Sequence, residues 1–147
     1  MKLFCYGSNN QDQLTVRCRE RIPPLEPAFL LDHKRVFRGW SERWQGGVAS
    51  LLRSPGSIVY GGIAEVPDAC MERLDGYEGV NVGKYVRKTI TVLNVDEEPI
   101  ECQVYVSTSK DFNAPSEDYL EAVVKTVGKL WSSDSGGDIT IDDFKIE

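Results

Sequence analysis

At 147 residues, with 41% hydrophobic and 27% charged residues, the chain suits one soluble domain long enough to bury a core. Seventeen basic against 23 acidic residues leave a formal charge of −6, which argues against nucleic acid or an anionic membrane as a main partner. No run approaches the roughly eighteen apolar residues of a membrane span, and the opening apolar stretch breaks at Gly7, too short for a signal peptide.

Two basic clusters, Arg17-Arg19-Arg21 and Lys34-Arg35-Arg38, leave room for a local anion site. The four cysteines, Cys5, Cys18, Cys70 and Cys102, are widely scattered and form no metal-type spacing. They read as reduced, mostly buried thiols of a cytoplasmic protein, and neither a metal nor a cofactor is expected.

In chain order, residues 2–6 read as a strand that ends in the turn Gly7-Ser8-Asn9-Asn10, with Asn9 or Asn10 as helix cap. A short helix over roughly 10–20 places Leu14 and Cys18 on one face, and Ile22-Pro23-Pro24 stops it. Residues 28–39 alternate as a strand, and 40–46 form a polar loop containing Trp40 and Trp44. Residues 47–52 make a further strand, Ser54-Pro55-Gly56-Ser57 a turn, and 58–66 another strand. Pro67 opens a helix with Cys70, Met71 and Leu74 on its apolar face, closed by Gly76 in a left-handed cap. Residues 85–95 and 99–108 are the clearest strands, joined at Asp96-Glu97-Glu98. The strongest helix spans about 115–131, with Tyr119, Leu120, Val123, Val124, Val127, Leu130 and Trp131 on one stripe. Residues 132–147 read as a tail that could add an edge strand. Six short strands with few helices, lacking regular βα alternation, predict an α+β fold with a small mixed sheet curled toward a barrel.

Two segments point to chemistry. Tyr6-Gly7-Ser8-Asn9, between a strand end and a helix start, lets backbone N–H groups converge on a carboxylate or a developing oxyanion. An ordinary glycine turn with an Asn cap is the competing reading. Glu78, between Tyr77 and Gly79, sits where the chain bends, and partial burial there would raise its pKa and suit it to proton transfer. A solvated surface Glu is the alternative. His33, the single histidine, stands in an alternating strand and argues against a His-dependent nucleophile. Cys5 lies mid-strand with no evident basic partner and reads as a core thiol. Tyr85, Tyr105 and Tyr119 each fall at an element edge, where hydroxyls can line a pocket or simply pack. With one acid–base residue and an anion cradle, the nucleophile is best supplied by the substrate itself, in a ring closure favoured by proximity.

The ordered segments CYGSN (5–9), WQGGVASLL (44–52), SPGSIVYGGIAEV (54–66), LDGYEGVNVGKY (74–85), CQVYVST (102–108) and PSEDYLEAVV (115–124) resemble those of the γ-glutamylcyclotransferases. The resemblance implies a compact mixed β-barrel with flanking helices. It also implies release of 5-oxoproline from γ-glutamyl compounds, with Glu78 as proton shuttle. Substrate contacts would come from Cys5, Tyr6, Gly7, Ser8 and Asn9 and from Tyr85, Tyr105 and Tyr119. The expected partner is a small γ-glutamyl substrate. A γ-glutamyl amino acid leads, ahead of γ-glutamyl-ε-lysine and glutathione, and a non-catalytic carboxylate-binding module on the same scaffold is the alternative of another class. A homodimer is a further candidate assembly, with Trp40, Trp44 and Trp131 as contact residues unless they pack internally. Asn10 departs from the family's usual apolar residue, and the segment after Gly128 does not resemble the usual C-terminus.

Overall fold

The computed structural model describes residues 1–131; the tail expected over 132–147 lies outside them. Five strands close into a barrel in the order β1-β3-β2-β4-β5. They are β1 (Lys2–Cys5), β2 (Glu26–Ser41), β3 (Gly46–Glu65), β4 (Tyr85–Asn94) and β5 (Pro99–Ser107). Neighbouring strands run antiparallel except at the seam, where β5 meets β1 in parallel with Leu3 opposite Gln103. Three helices accompany the barrel: α1 (Gln11–Cys18), α2 (Met71–Glu78) and α3 (Glu117–Trp131).

Strand alternation feeds two cores. On β1, Phe4 belongs to a cluster with Leu30, Phe37, Val59 and Val104 that also takes the apolar stripe of α3, from Tyr119 to Trp131. Leu3 and Cys5, on the opposite face, join Leu14 and Cys18 of α1 and Met71 and Leu74 of α2. One strand thus docks α3 on one side and the α1–α2 pair on the other.

The structure departs from the sequence reading in four places. Residues 54–57 do not turn the chain, so there are five strands and not six. Leu31 pairs with Ile58 and His33 with Arg53, which leaves 54–57 as a bulge opposite Asp32. The Gly56 N–H donates to Asp32 Oδ1 (3.0 Å), with φ of 59° at Asp32 and 84° at Gly56, so the bulge satisfies its own polar groups and β3 continues. The polar loop expected over 40–46 contracts to a tight connection, because β2 runs to Ser41 and β3 starts at Gly46. Gly76 lies inside α2; the left-handed cap is Gly79 (φ 73°), whose N–H reaches back to Asp75 O and Gly76 O. Finally, Cys18 and Cys70 form a disulfide across 52 positions, whereas Cys5 and Cys102 are free and buried. The fold brings the last residue of α1 beside the 3₁₀ turn Asp68–Cys70 that precedes α2, a proximity no local spacing announces.

Trp131 is buried with Nε1 donating to Gly61 O (2.8 Å), and Trp44 packs edge-on against Tyr119, whereas Trp40 is exposed. Among the described residues no helix is long and apolar enough to cross a membrane.

Candidate active site

The bend Tyr6–Asn10 links β1 to α1. Asn10 caps the helix by accepting from the Gln13 N–H (2.8 Å). The Gly7 and Ser8 amides, ahead of that cap, meet no acceptor among the described residues. Gly7 sits in close approach: a Cβ there would lie 3.2 Å from the Tyr119 hydroxyl and 3.4 Å from Ala49 Cβ, so these neighbours would have to give by a few tenths of an ångström.

Glu78 is the last residue of α2, set by the Gly79 cap and half-buried against the same bend. Asn9 Nδ2 donates to Glu78 Oε1 (3.3 Å), and Arg17 Nη1 lies 3.8 Å from the same oxygen and donates to Asn9 Oδ1 (3.4 Å). The Arg17 guanidinium also stacks 4.7 Å from the Tyr77 ring centroid. Burial raises the Glu78 pKa above its ordinary value; the Asn9 hydrogen bond and the Arg17 charge oppose that shift without cancelling it.

Three tyrosine hydroxyls around the bend are held by the scaffold. Tyr6 donates to Tyr105 O (2.5 Å), so it offers the site its ring and backbone, not its hydroxyl. Tyr105 donates to Asp75 Oδ1 (2.6 Å), and Arg87 Nε stands 3.4 Å from that oxygen. Tyr119 accepts the Ala49 N–H (2.8 Å); burial pushes its hydroxyl pKa up to about 12. The Tyr85 hydroxyl has no hydrogen-bond partner among the described residues. Burial also pushes the Cys5 thiol well above its usual range, which keeps it un-ionised and unsuited to nucleophilic attack.

Glu78, Cys5, Tyr6, Gly7, Ser8, Asn9, Tyr85, Tyr105 and Tyr119 all line one cavity of about 360 Å³. Its wall also includes Gln13, Arg17 and Lys84, and the segment from Trp40 to Trp44. His33 is not among its lining residues. Among the described residues no cluster of three or more His, Cys, Asp and Glu side chains could hold a metal ion.

Two residues escaped sequence reasoning as individuals. Arg17 was visible only as part of a basic cluster, although its four-residue spacing from Gln13 puts both on one face of α1. Arg35 is 7% exposed, its Nε donating to Tyr6 O (2.8 Å) and its Nη2 to Tyr60 O (2.7 Å). It braces the carbonyl immediately before Gly7 and sets a positive charge beneath the bend; burial lowers its pKa to about 10, still charged at neutral pH.

A family model described as gamma-glutamyl cyclotransferase, AIG2-like, matches residues 3–121. A mouse protein named gamma-glutamylcyclotransferase is 35% identical over 127 residues, covering 82% of this chain and 66% of the relative. The human protein of that name is 32% identical over the same spans. The match therefore takes in just under two thirds of the length of these curated relatives. A solved structure titled gamma-glutamyl cyclotransferase superposes with a TM-score of 0.77 at 27% identity, covering 97% of this chain and 95% of its own. A human protein described as uncharacterized gives the same TM-score and coverage at 28% identity.

Proposed function

Because the chain belongs to the AIG2-like γ-glutamyl cyclotransferase family, we propose that it releases 5-oxoproline from γ-glutamyl amino acids or peptides by attack of the substrate's own α-nitrogen on its γ-carbonyl. Glu78 takes a proton from the α-ammonium. The freed nitrogen bonds to the γ-carbon, and the carbonyl electron pair moves onto oxygen. The Gly7 and Ser8 amides hold that oxyanion; one such donor is worth about 10²–10³ in rate. Collapse of the intermediate closes the five-membered lactam and breaks the bond to the leaving nitrogen. Two protons leave the attacking nitrogen in turn. Glu78 relays both to the departing amine, which leaves as an ammonium.

The reading is carried by one observation: the buried carboxylate of Glu78 and the unengaged amides of the Gly7 bend line the same cavity, joined by the Asn9 hydrogen bond. The raised Glu78 pKa supports the assignment, since a proton relay works best when its pKa lies nearer the working pH. A pure anion binder would gain nothing from that carboxylate. The free Tyr85 hydroxyl is a further substrate contact in this reading.

The test is to incubate the protein with a γ-glutamyl amino acid, γ-glutamyl-ε-lysine and glutathione in parallel and to assay 5-oxoproline. Release from the γ-glutamyl amino acid supports the reading. Recovery of all three compounds intact, with heat of binding, identifies a carboxylate-binding module instead.

A further inference from the structure

The reading just given leaves the substrate's α-carboxylate without a partner. That group takes no part in ring closure, yet it enters the cavity with the glutamyl end and loses water. A buried carboxylate without a countercharge is strongly unfavourable. The Gly7–Ser8 cradle cannot serve both anions, because it is engaged by the γ-oxygen as negative charge develops there.

A second anion holder stands on α1, beside Asn9. Arg17 presents its guanidinium to the cavity with 16% of its side chain exposed, its orientation fixed by the Tyr77 ring. Only Nη1 is engaged, by Asn9 Oδ1 and Glu78 Oε1; Nε and Nη2 have no acceptor among the described residues. Those remaining donors suit a carboxylate, which guanidinium binds through paired hydrogen bonds. One turn earlier on α1, Gln13 also lines the cavity, and its Oε1 is the one buried side-chain polar atom lacking a partner among the described residues. The wall thus offers adjacent cation and anion, Arg17 and Glu78, plus a spare acceptor. An α-amino acid head group is the complementary arrangement, with its carboxylate and ammonium on one carbon.

We propose that Arg17 is the specificity-determining residue that binds the α-carboxylate of the γ-glutamyl substrate and thereby sets its α-nitrogen at Glu78, with Gln13 Oε1 accepting a second ammonium hydrogen. This rests on the function proposed above and assigns the two anions of the reaction to separate holders. It also couples binding to basicity. Once Arg17 is shared with the substrate carboxylate, it stabilises the Glu78 carboxylate less, and Glu78 becomes the stronger base when substrate is in place.

The experiment compares a γ-glutamyl amino acid with the matching 4-aminobutanoyl amino acid, which lacks only the α-carboxylate and closes to pyrrolidin-2-one. Ring-product release is measured for the wild type, Arg17→Met and Arg17→Lys. The wild type is expected to prefer the carboxylated compound by about 10²-fold in kcat/KM, the scale set by losing one partner of a buried ion pair. In Arg17→Met that preference collapses to within a few-fold, chiefly through KM on the carboxylated compound. A preference that survives in Arg17→Met, or an equal loss on both compounds, overturns the proposal and leaves Arg17 as a support for Glu78 alone. Should Arg17→Met not fold, Arg17→Lys decides: it keeps the charge without the fork, so the preference should shrink by about tenfold, and an unchanged preference overturns the idea. If neither compound yields ring product from the wild type, the cyclotransferase reading fails by itself. The same comparison is then made on Kd by calorimetry, where collapse in Arg17→Met upholds the carboxylate site and persistence removes it.

Discussion

Asn9 Nδ2 donates to Glu78 Oε1 across 3.3 Å, although the two residues stand 69 positions apart. The bond ties the bend after β1 to the last residue of α2, and each partner is set by a local device. Asn9 precedes the cap of α1, and Glu78 is stopped by the left-handed Gly79. The geometry of the cavity thus depends on two turn chemistries meeting at one hydrogen bond.

Removing that bond should be visible in the pH profile. The Glu78 pKa is raised by burial and held back by Asn9 and Arg17. Activity that needs the carboxylate falls as pH drops through this raised value. Asn9→Leu deletes a stabiliser of the charged form, so the acidic limb of kcat/KM should move to higher pH. A limb that stays in place would show that Glu78 is not the titrating base.

Stability carries the same signature with a definite sign. A carboxyl whose folded-state pKa exceeds its unfolded value binds more protons when folded. Its contribution is most favourable below the ordinary carboxylate range and is lost as pH rises through the raised value. Glu78→Gln should therefore keep or raise Tm at neutral pH, and its advantage should vanish toward acid. Thermal unfolding of both proteins across pH measures this.

The tyrosine beneath the cradle has a structural price of its own. Tyr119 accepts the Ala49 N–H in a buried setting. Tyr119→Phe should cost about 1–3 kcal/mol by orphaning that donor, read by denaturant unfolding. Gly7→Val should damage both kcat and KM, because its branched side chain must displace the Tyr119 hydroxyl or Ala49; unaltered kinetics would make the bend merely structural.

The Cys18–Cys70 disulfide joins the end of α1 to the start of α2, the two helices that carry Arg17 and Glu78. Reduction, or Cys18→Ser, should lower stability by about 2–4 kcal/mol. A reductant that lowers Tm of the wild type but not of Cys18→Ser is the expected result.

Much of this architecture was legible because short-range patterns announce it. An Asn cap at Asn9 or Asn10, the apolar stripe of α3 and the β4–β5 hairpin each follow from spacing and turn residues alone; the structure puts the cap at Asn10. The misreadings share a cause. Ser54-Pro55-Gly56-Ser57 has turn chemistry, but Asp32 across the sheet accepts the Gly56 N–H and turns it into a bulge. Gly76 has cap chemistry, but the helix runs on to Glu78 and the left-handed cap falls at Gly79. Arg35 stands in the sequence as one member of a basic cluster, and its burial is made tolerable by carbonyls from distant positions, Tyr6 O and Tyr60 O among them. At the cavity, Glu78 and the Gly7 bend stand out through their glycine neighbours. Arg17 and Gln13 do not, because their significance lies in which wall of the barrel α1 covers.

The most direct test follows 5-oxoproline release from one γ-glutamyl amino acid by the wild type and by Glu78→Gln, with unfolding curves recorded alongside. A proton relay at this carboxylate predicts a fall in kcat of about 10²–10⁴ in a variant that is at least as stable. Turnover by Glu78→Gln within a few-fold of the wild type would contradict it.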